Sequence, residues 1–385
     1  MKLLHLADLH IGKRVYEYSM LEEQKSALLQ VFQMAKEHAV DAVLIAGDVY
    51  DKTIPTIEGV KLFDTFLTAL KTKQIPTFII SGNHDSAERL AFGRKLFENS
   101  EIYLSGTYEE EILKKTLSDE FGAVDVYLLP FLKPQQIEVA EGEEKPKDYT
   151  EAIGVVLKRL HIDTGRRNVL VAHQFVGGSG QAPWRADSET QSVGGVDMVD
   201  YRVFDAFDYV ALGHLHGAQQ VGRETVRYAG SPVKYSFSEA AQEKSATLIT
   251  MGAKNGDGAV DITIEKLPII PVHDMRKIKG TLQQLTDADV LKEGDPEDYM
   301  HITLTDEEEI YDVFGKLRAV YPNLMALEFD NARTRATGAA ALAGKMIKEK
   351  STMELFREFF KQQAGCELSP MQEQIMTDII EKNGE

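Results

Sequence analysis

The runs AVLIAG (42–47) and NVLVAH (168–173) have no polar side chain between their ends. A strand with one wet face alternates polar and apolar residues. A run that is apolar throughout needs cover on both faces, which helices laid over a sheet provide. Up to about residue 265 the chain repeats this theme, with further strand-like runs KLLHLA, TFIIS, VDVYLLP, DYVALG, SATLIT and VDITIEKL. Helix-like stretches lie between several of them, at 19–39 and 56–73, and Leu21, Leu28, Phe32 and Ala35 form a stripe at helical spacing on the first. An α/β class follows.

The ends of these runs carry the chemistry. LADLHIG places Asp8 and His10 after the first, LIAGDVYD places Asp48, IISGNHD places Asn83, His84 and Asp85, VLVAHQ places His173, and LGHLHG places His214 and His216. Ligands gather at strand ends in helix-covered sheets, and neighbouring glycine lets the backbone approach a bound group. Residues two apart in an extended segment point to one side, so Asp8 with His10, and His214 with His216, can each offer two donors. Carboxylate, amide and imidazole donors without thiolate suit Mn²⁺, Fe²⁺ or Zn²⁺. Seven donors (Asp8, His10, Asp48, Asn83, His173, His214, His216) are too many for one open site; if Asp48 bridges, two cations receive four each. Such a pair suits phosphoryl transfer. His84 is then free to orient the phosphate or protonate the leaving oxygen, while Asp85 either holds the His84 ring or caps the helix that follows. His5 reads as a packing residue.

Composition narrows the function. The formal charge of −18 argues against a free-standing nucleic-acid binder, although bound cations or a basic partner could bring phosphate in. No apolar stretch reaches membrane-spanning length. The N-terminus lacks a cleavage site, and the single cysteine, Cys366, suits a reducing cytosol. A cytoplasmic protein is expected; nucleoid association is what the resemblance given below implies.

A glycine-rich segment at 176–195, with the sole tryptophan Trp184, is too long and aperiodic to be an idle loop. From Pro268 the texture changes to a small α+β unit, with helices near 281–292 and 307–320. The expected boundaries are a catalytic domain at 1–267, a capping domain at 268–332, a basic linker at 333–350 and a helix pair at 351–385. STME and SPMQ cap the two tail helices, whose Met, Phe and Ile faces are expected to dock a partner.

Together, DLH, GDVYD, GNHD, the strand-end His173 and GHLH resemble the five motifs of the calcineurin-like metallophosphoesterase superfamily. Within it the chain resembles the nuclease subunits of bacterial SbcCD complexes along nearly its whole length, in LHLADLHIGK, GDVYDKTIP, SGNHDSAERL, SVGGVD, ALGHLH and YAGSPVKYSFSE. The resemblance implies a four-layer fold of two sheets between helices, followed by a DNA-holding cap. It implies that Asp8, His10, Asp48 and His216 hold one metal, that Asp48, Asn83, His173 and His214 hold the other, most plausibly both Mn²⁺, and that His84 faces the phosphate. Archaeal and eukaryotic relatives carry histidine where this chain has Asp51, which leaves a second histidine contact to the phosphate in doubt. The implied activity is ATP-dependent 3′→5′ exonuclease action on double-stranded DNA with endonucleolytic cutting near hairpins or blocked ends. It would occur in a homodimer whose 351–385 segments dock two copies of the SbcC ATPase.

Two competing readings are a dimetal phosphatase or phosphodiesterase for small molecules, which would not need the region after 268, and a non-catalytic scaffold, which would not keep every donor.

Overall fold

The computed structural model describes residues 1–109, 111–139, 144–178, 183–189, 197–292, 294–332, 334–335 and a few positions near the C-terminus. Two compact units divide the chain, one built from Met1–Lys277 with Glu297–Met300, the other from Ile278–Pro296 with His301–Glu385.

Two six-stranded sheets make the first unit. One runs, edge to edge, Val260–Pro268, Ser245–Lys254, Lys2–Leu6, Ala42–Ala46, Thr77–Ile80 and Ile102–Ser105. Its last four strands are parallel and its first two antiparallel additions. The other runs Gln219–Val221, Arg223–Tyr228, Tyr209–Gly213, Arg167–His173, Gly122–Leu129 and Leu113–Asp119. Its four central strands are parallel and its two edges antiparallel.

Side-chain parity explains why the strands read as unbroken apolar runs. Val169 and Val171 join Leu3, Leu44, Phe78, Val126 and Ala211 in a core between the sheets. The alternate residues Leu170 and Ala172 pack with Ala152, Ile153 and Val156 of helix Tyr149–Lys158 on the outer face. Each strand is thus buried twice, and burying a Val or Leu side chain stabilises by roughly 1.5–3 kcal/mol. The same parity carries His173, at the end of its strand, toward the first sheet. Leu4, Leu6, Val43 and Ile45 are buried on the opposite parity of that sheet.

Helices Leu21–Glu37 and Ile57–Thr72 follow the first two parallel strands. The buried face of the first is Gln24, Ala27, Leu28, Val31 and Ala35, which turns the expected stripe by part of a turn. Leu21 and Phe32 instead line an apolar groove shared with Leu62 and Phe66 of the second. Four strands that sequence reading did not anticipate, Ile102–Ser105, Leu113–Asp119, Gln219–Val221 and Arg223–Tyr228, lie at or next to sheet edges.

Residues 275–329 form a three-stranded sheet in the order Met275–Gly280, Tyr299–Leu304, Leu324–Phe329, most of whose residues belong to the second unit, with short helices Leu282–Leu285, Ala288–Leu291 and Val313–Arg318. Thr281 and Gln284 form a reciprocal capping box at the first helix, and the buried Tyr321 hydroxyl donates to the Leu285 carbonyl at 2.7 Å. The linker at 333–350 and the helix pair at 351–385 lie almost wholly outside the described residues.

Candidate metal centre

The carboxyl ends of the parallel strands converge. Asp8 and Asp48 follow neighbouring strands of the first sheet, while His173, His214 and His216 follow neighbouring strands of the second. Asp8, His10, Asp48 and His214 all take positive φ (52°, 42°, 49° and 110°). Left-handed backbone costs a non-glycine residue of order 1–3 kcal/mol, and such strain collects where a site is held in a fixed geometry. Backbone bonds impose it here: the Asp8 amide donates to the Gly47 carbonyl at 3.1 Å and the His10 amide to the Asp48 carbonyl at 2.9 Å. Two glycines are dictated by closeness. A Cβ on Gly82 would stand 2.1 Å from Asp48 Oδ1, and one on Gly213 would stand 1.9 Å from the Ala46 carbonyl oxygen.

Three groups of potential ligand atoms each fall within a 4.8 Å span: Asp8, His10 and His216; His10, Asp48 and His84; and Asp8, Asp48 and His173. Asn83 belongs with the last, because its Oδ1 lies 3.1 Å from His173 Nε2 and 3.0 Å from His214 Nδ1. Asp48 stands between the groups, with its Oδ2 3.7 Å from His10 Nε2 and 3.4 Å from His173 Nε2. All seven candidate donors are therefore brought together with Asp48 central. His84 joins them through an edge-on contact with the His10 ring at 4.9 Å and through its amide, which donates to Asp48 Oδ1 at 2.9 Å.

The donor chemistry fits cations. His173 Nδ1 lies 2.7 Å from the Ala46 carbonyl, which fixes the proton there. Its Nε2 lone pair then meets the oxygens of Asn83 and Asp48, a cluster rich in acceptors and short of protons. Asp48 is held as the anion: burial opposes its charge, but His173, His10 and His84 outweigh that. Burial pushes His173 down, yet Asp48 and Asp8 carry it up to about 9, so without a cation a proton fills the gap. Burial, first among the causes, lowers His10, His214 and His216, leaving neutral imidazoles able to ligate. Burial likewise raises Asp8.

Asp85 does not touch the His84 ring. Its oxygens accept the amides of Val49 (3.1 Å), Tyr50 (2.9 Å) and Gly82 (2.9 Å), tying two ligand-bearing turns together. It does not cap the next helix either, whose N-cap is Ser86. The His84 ring is held instead by the Asp51 carbonyl, 3.1 Å from Nδ1. Asp51 also pairs with Lys13 at 2.7 Å.

Sequence reading missed the support behind His216. Its Nδ1 lies 2.9 Å from Ser188 Oγ and 3.6 Å from Glu239 Oε1, and its amide donates to Glu189 Oε1 at 2.6 Å. Lys244 pairs with Glu239 at 2.6 Å and donates to the His216 carbonyl at 2.9 Å. Burial opposes the Glu239 charge, but His216 and Lys244 hold its carboxyl below the usual range. The turn at 228–232 contributes Ser231, which donates its amide to the same carbonyl. Nothing in the spacing of Ser188 or Glu239 marks them; only their place in the fold does. His5, as expected, is a packing residue, buried with Nδ1 3.1 Å from the Tyr209 hydroxyl.

Known proteins are similar to this chain. The family model for calcineurin-like phosphoesterases matches residues 1–218, and an SbcD-type model described as the type 5 capsule protein repressor C-terminal domain matches residues 271–364. The SbcD subunit of nuclease SbcCD from Staphylococcus epidermidis is 29% identical over 397 aligned residues, covering all of both chains. Two solved structures align more loosely. One is the Thermus thermophilus protein TT1561 (15% identity, 68% of this chain and 97% of that one, TM-score 0.37), and the other a dimetal phosphatase from Danio rerio (12%, 70% and 97%, TM-score 0.41). With its first 218 residues, more than half of the chain, matched to the family model, the chain belongs to the calcineurin-like phosphoesterases.

Proposed function

We propose that the chain is the dimetal nuclease subunit of an SbcCD-type complex, hydrolysing DNA phosphodiesters. The observation that carries this is the convergence of seven donors in two groups that share Asp48, with His84 beside them. Asp8, His10, Asp48 and His216 would hold one cation and Asp48, Asn83, His173 and His214 the other, both Mn²⁺, which suits so mixed an oxygen and imidazole set. Bound there, the pair would supply an activated water and positive charge for the phosphoryl oxygens.

The chain's own residues do the rest. With its Nδ1–H committed to the Asp51 carbonyl, His84 keeps Nε2 for the substrate, where the doubly protonated ring would orient the phosphate or pass its Nε2 proton to the leaving oxygen. Asp85 fixes the turns that carry Asp48 and Asn83. Ser188, Glu239 and Lys244 keep the His216 ring facing inward.

DNA is favoured over a small diester because similarity to a nuclease subunit runs the full length of the chain, including the segment after residue 270. In this reading 268–332 caps the nuclease domain and helps hold DNA, 333–350 links, and 351–385 docks the SbcC ATPase. Two copies of each chain would act in DNA repair and recombination, with ATP-dependent 3′→5′ exonuclease and hairpin or blocked-end endonuclease activities.

The test is cleavage of labelled linear and hairpin duplexes by the full chain with Mn²⁺, with and without the ATPase subunit and ATP. Metal-dependent cutting that the ATPase and ATP stimulate is expected. A chain that hydrolyses small phosphodiesters yet leaves both duplexes whole would contradict the nuclease reading.

A further inference from the structure

The segment 183–189 belongs to the described part of the glycine-rich stretch 176–195, and it is firmly pinned. Gln219 grips the Trp184 backbone twice, accepting its amide at 2.9 Å and donating to its carbonyl at 2.8 Å. The Asp187 amide donates to Ser238 Oγ at 2.9 Å, and Ser188 and Glu189 hold His216. Between these anchors stands Arg185, whose Cζ lies 3.5 Å from the centroid of the Phe175 ring. The Phe175 ring lies 6.3 Å from that of His214.

This guanidinium is short of partners. Its Nε and Nη2 are buried and unbonded among the described residues. Asp197, at 3.9 Å, is beyond hydrogen-bonding distance, and its own Oδ1 is unbonded as well. Buried arginine nitrogens are normally paired, because leaving them unpaired sacrifices hydration without return. Stacking occupies the face of the guanidinium and leaves its N–H edge without a hydrogen bond among the described residues. That edge is a fork matching two oxygens of a phosphate. On a chain of net charge −18, a cation fixed beside the metal centre is where an anionic strand gains most. Arg185 is one aromatic ring removed from His214, so it reaches beside the metal pair and not into it.

We propose that Arg185 grips the backbone phosphate next to the scissile one, fixing the substrate strand over the centre. The inference rests on the nuclease reading and adds to it a residue that selects a strand over an isolated diester.

The test compares Arg185→Ala and Arg185→Lys in the full chain with Mn²⁺ on two substrates: a labelled duplex, and bis(4-nitrophenyl) phosphate, which has no neighbouring phosphate. For Arg185→Ala, kcat/KM on DNA should fall about 10–100-fold, chiefly through KM, and at least about tenfold further than on the small diester. The salt dependence of DNA binding should weaken by about one unit of slope. Arg185→Lys, which keeps the charge and guards against loss of fold, should show a smaller loss with the same bias toward DNA. Asp197→Asn should leave DNA affinity intact or raise it, whereas a purely structural Arg185–Asp197 pair would make it mimic Arg185→Ala. Equal losses on both substrates, or DNA cleavage indifferent to Arg185, would overturn the proposal alone. A wild-type chain that cleaves the small diester and not DNA would overturn the nuclease reading and this inference with it.

Discussion

At the residue scale, the account divides the side chains around Asp48 into those that hold cations, one that acts on the substrate and those that steer the others. In the proposed mechanism His84 acts on the substrate, so His84→Ala should keep cation affinity, read by calorimetry, while strand cleavage falls about 10²–10⁴-fold, the usual range for a general acid or base. Loss of cation binding in that variant would move His84 into the ligand set. Glu239 is a steering residue, reaching the centre only through His216 and Ser188. Glu239→Gln should weaken cation binding about 10–100-fold with little change in kcat at saturating metal; a fall in kcat alone would mean that Glu239 acts on the reaction itself. Gly82→Ala forces a methyl group against Asp48 and should cost both stability and cation affinity. The donors were legible in the sequence because each closes an apolar run, most of them beside a glycine or a second donor. Asp85 was misjudged because adjacency to His84 in sequence says nothing of direction: its carboxylate turns back to three amides while the ring turns to Asp51. Ser188 and Glu239 were invisible because they arrive from distant loops at a point that only the folded sheets define.

At the element scale, the lock between the sheets is Arg167, buried at the start of its strand. It pairs with Asp119 of the second sheet and donates to the Gly252 carbonyl of the first at 3.2 Å. Removing one member of a buried pair typically costs about 3–5 kcal/mol, so Asp119→Asn should destabilise the first unit by an amount in or just below that range. The hydrogen bonds from Arg167, followed by burial acting the other way, leave the Asp119 carboxyl below its ordinary value. A depressed carboxyl stabilises fully above its unfolded pKa, about 3.9, and loses that contribution as pH falls below it. Urea unfolding should therefore show the full gap between wild type and Asp119→Asn at pH 7 and a narrower gap near pH 3; a constant gap would contradict the pairing. Strands such as Val169–Val171 were readable because both faces are buried. Edge strands such as Leu113–Asp119 were not, because their alternating burial leaves a weak pattern of Lys, Thr and Ser. The stripe on helix Leu21–Glu37 was placed too far round because Phe32 and Leu21 serve a groove between helices and not the sheet.

At the scale of the whole molecule, two sheets place their strand ends toward one another, so ligands scattered from Asp8 to His216 become neighbours. No helix among the described residues is long and apolar enough to cross a membrane. The claim on which all else depends is that these strand ends enclose two cations joined through Asp48. Crystals grown with Mn²⁺ and measured at an energy where manganese scatters anomalously test it most directly. Two anomalous peaks about 3.5–4 Å apart on either side of the Asp48 carboxylate are expected; a single peak, or none, at full Mn²⁺ saturation would contradict the account.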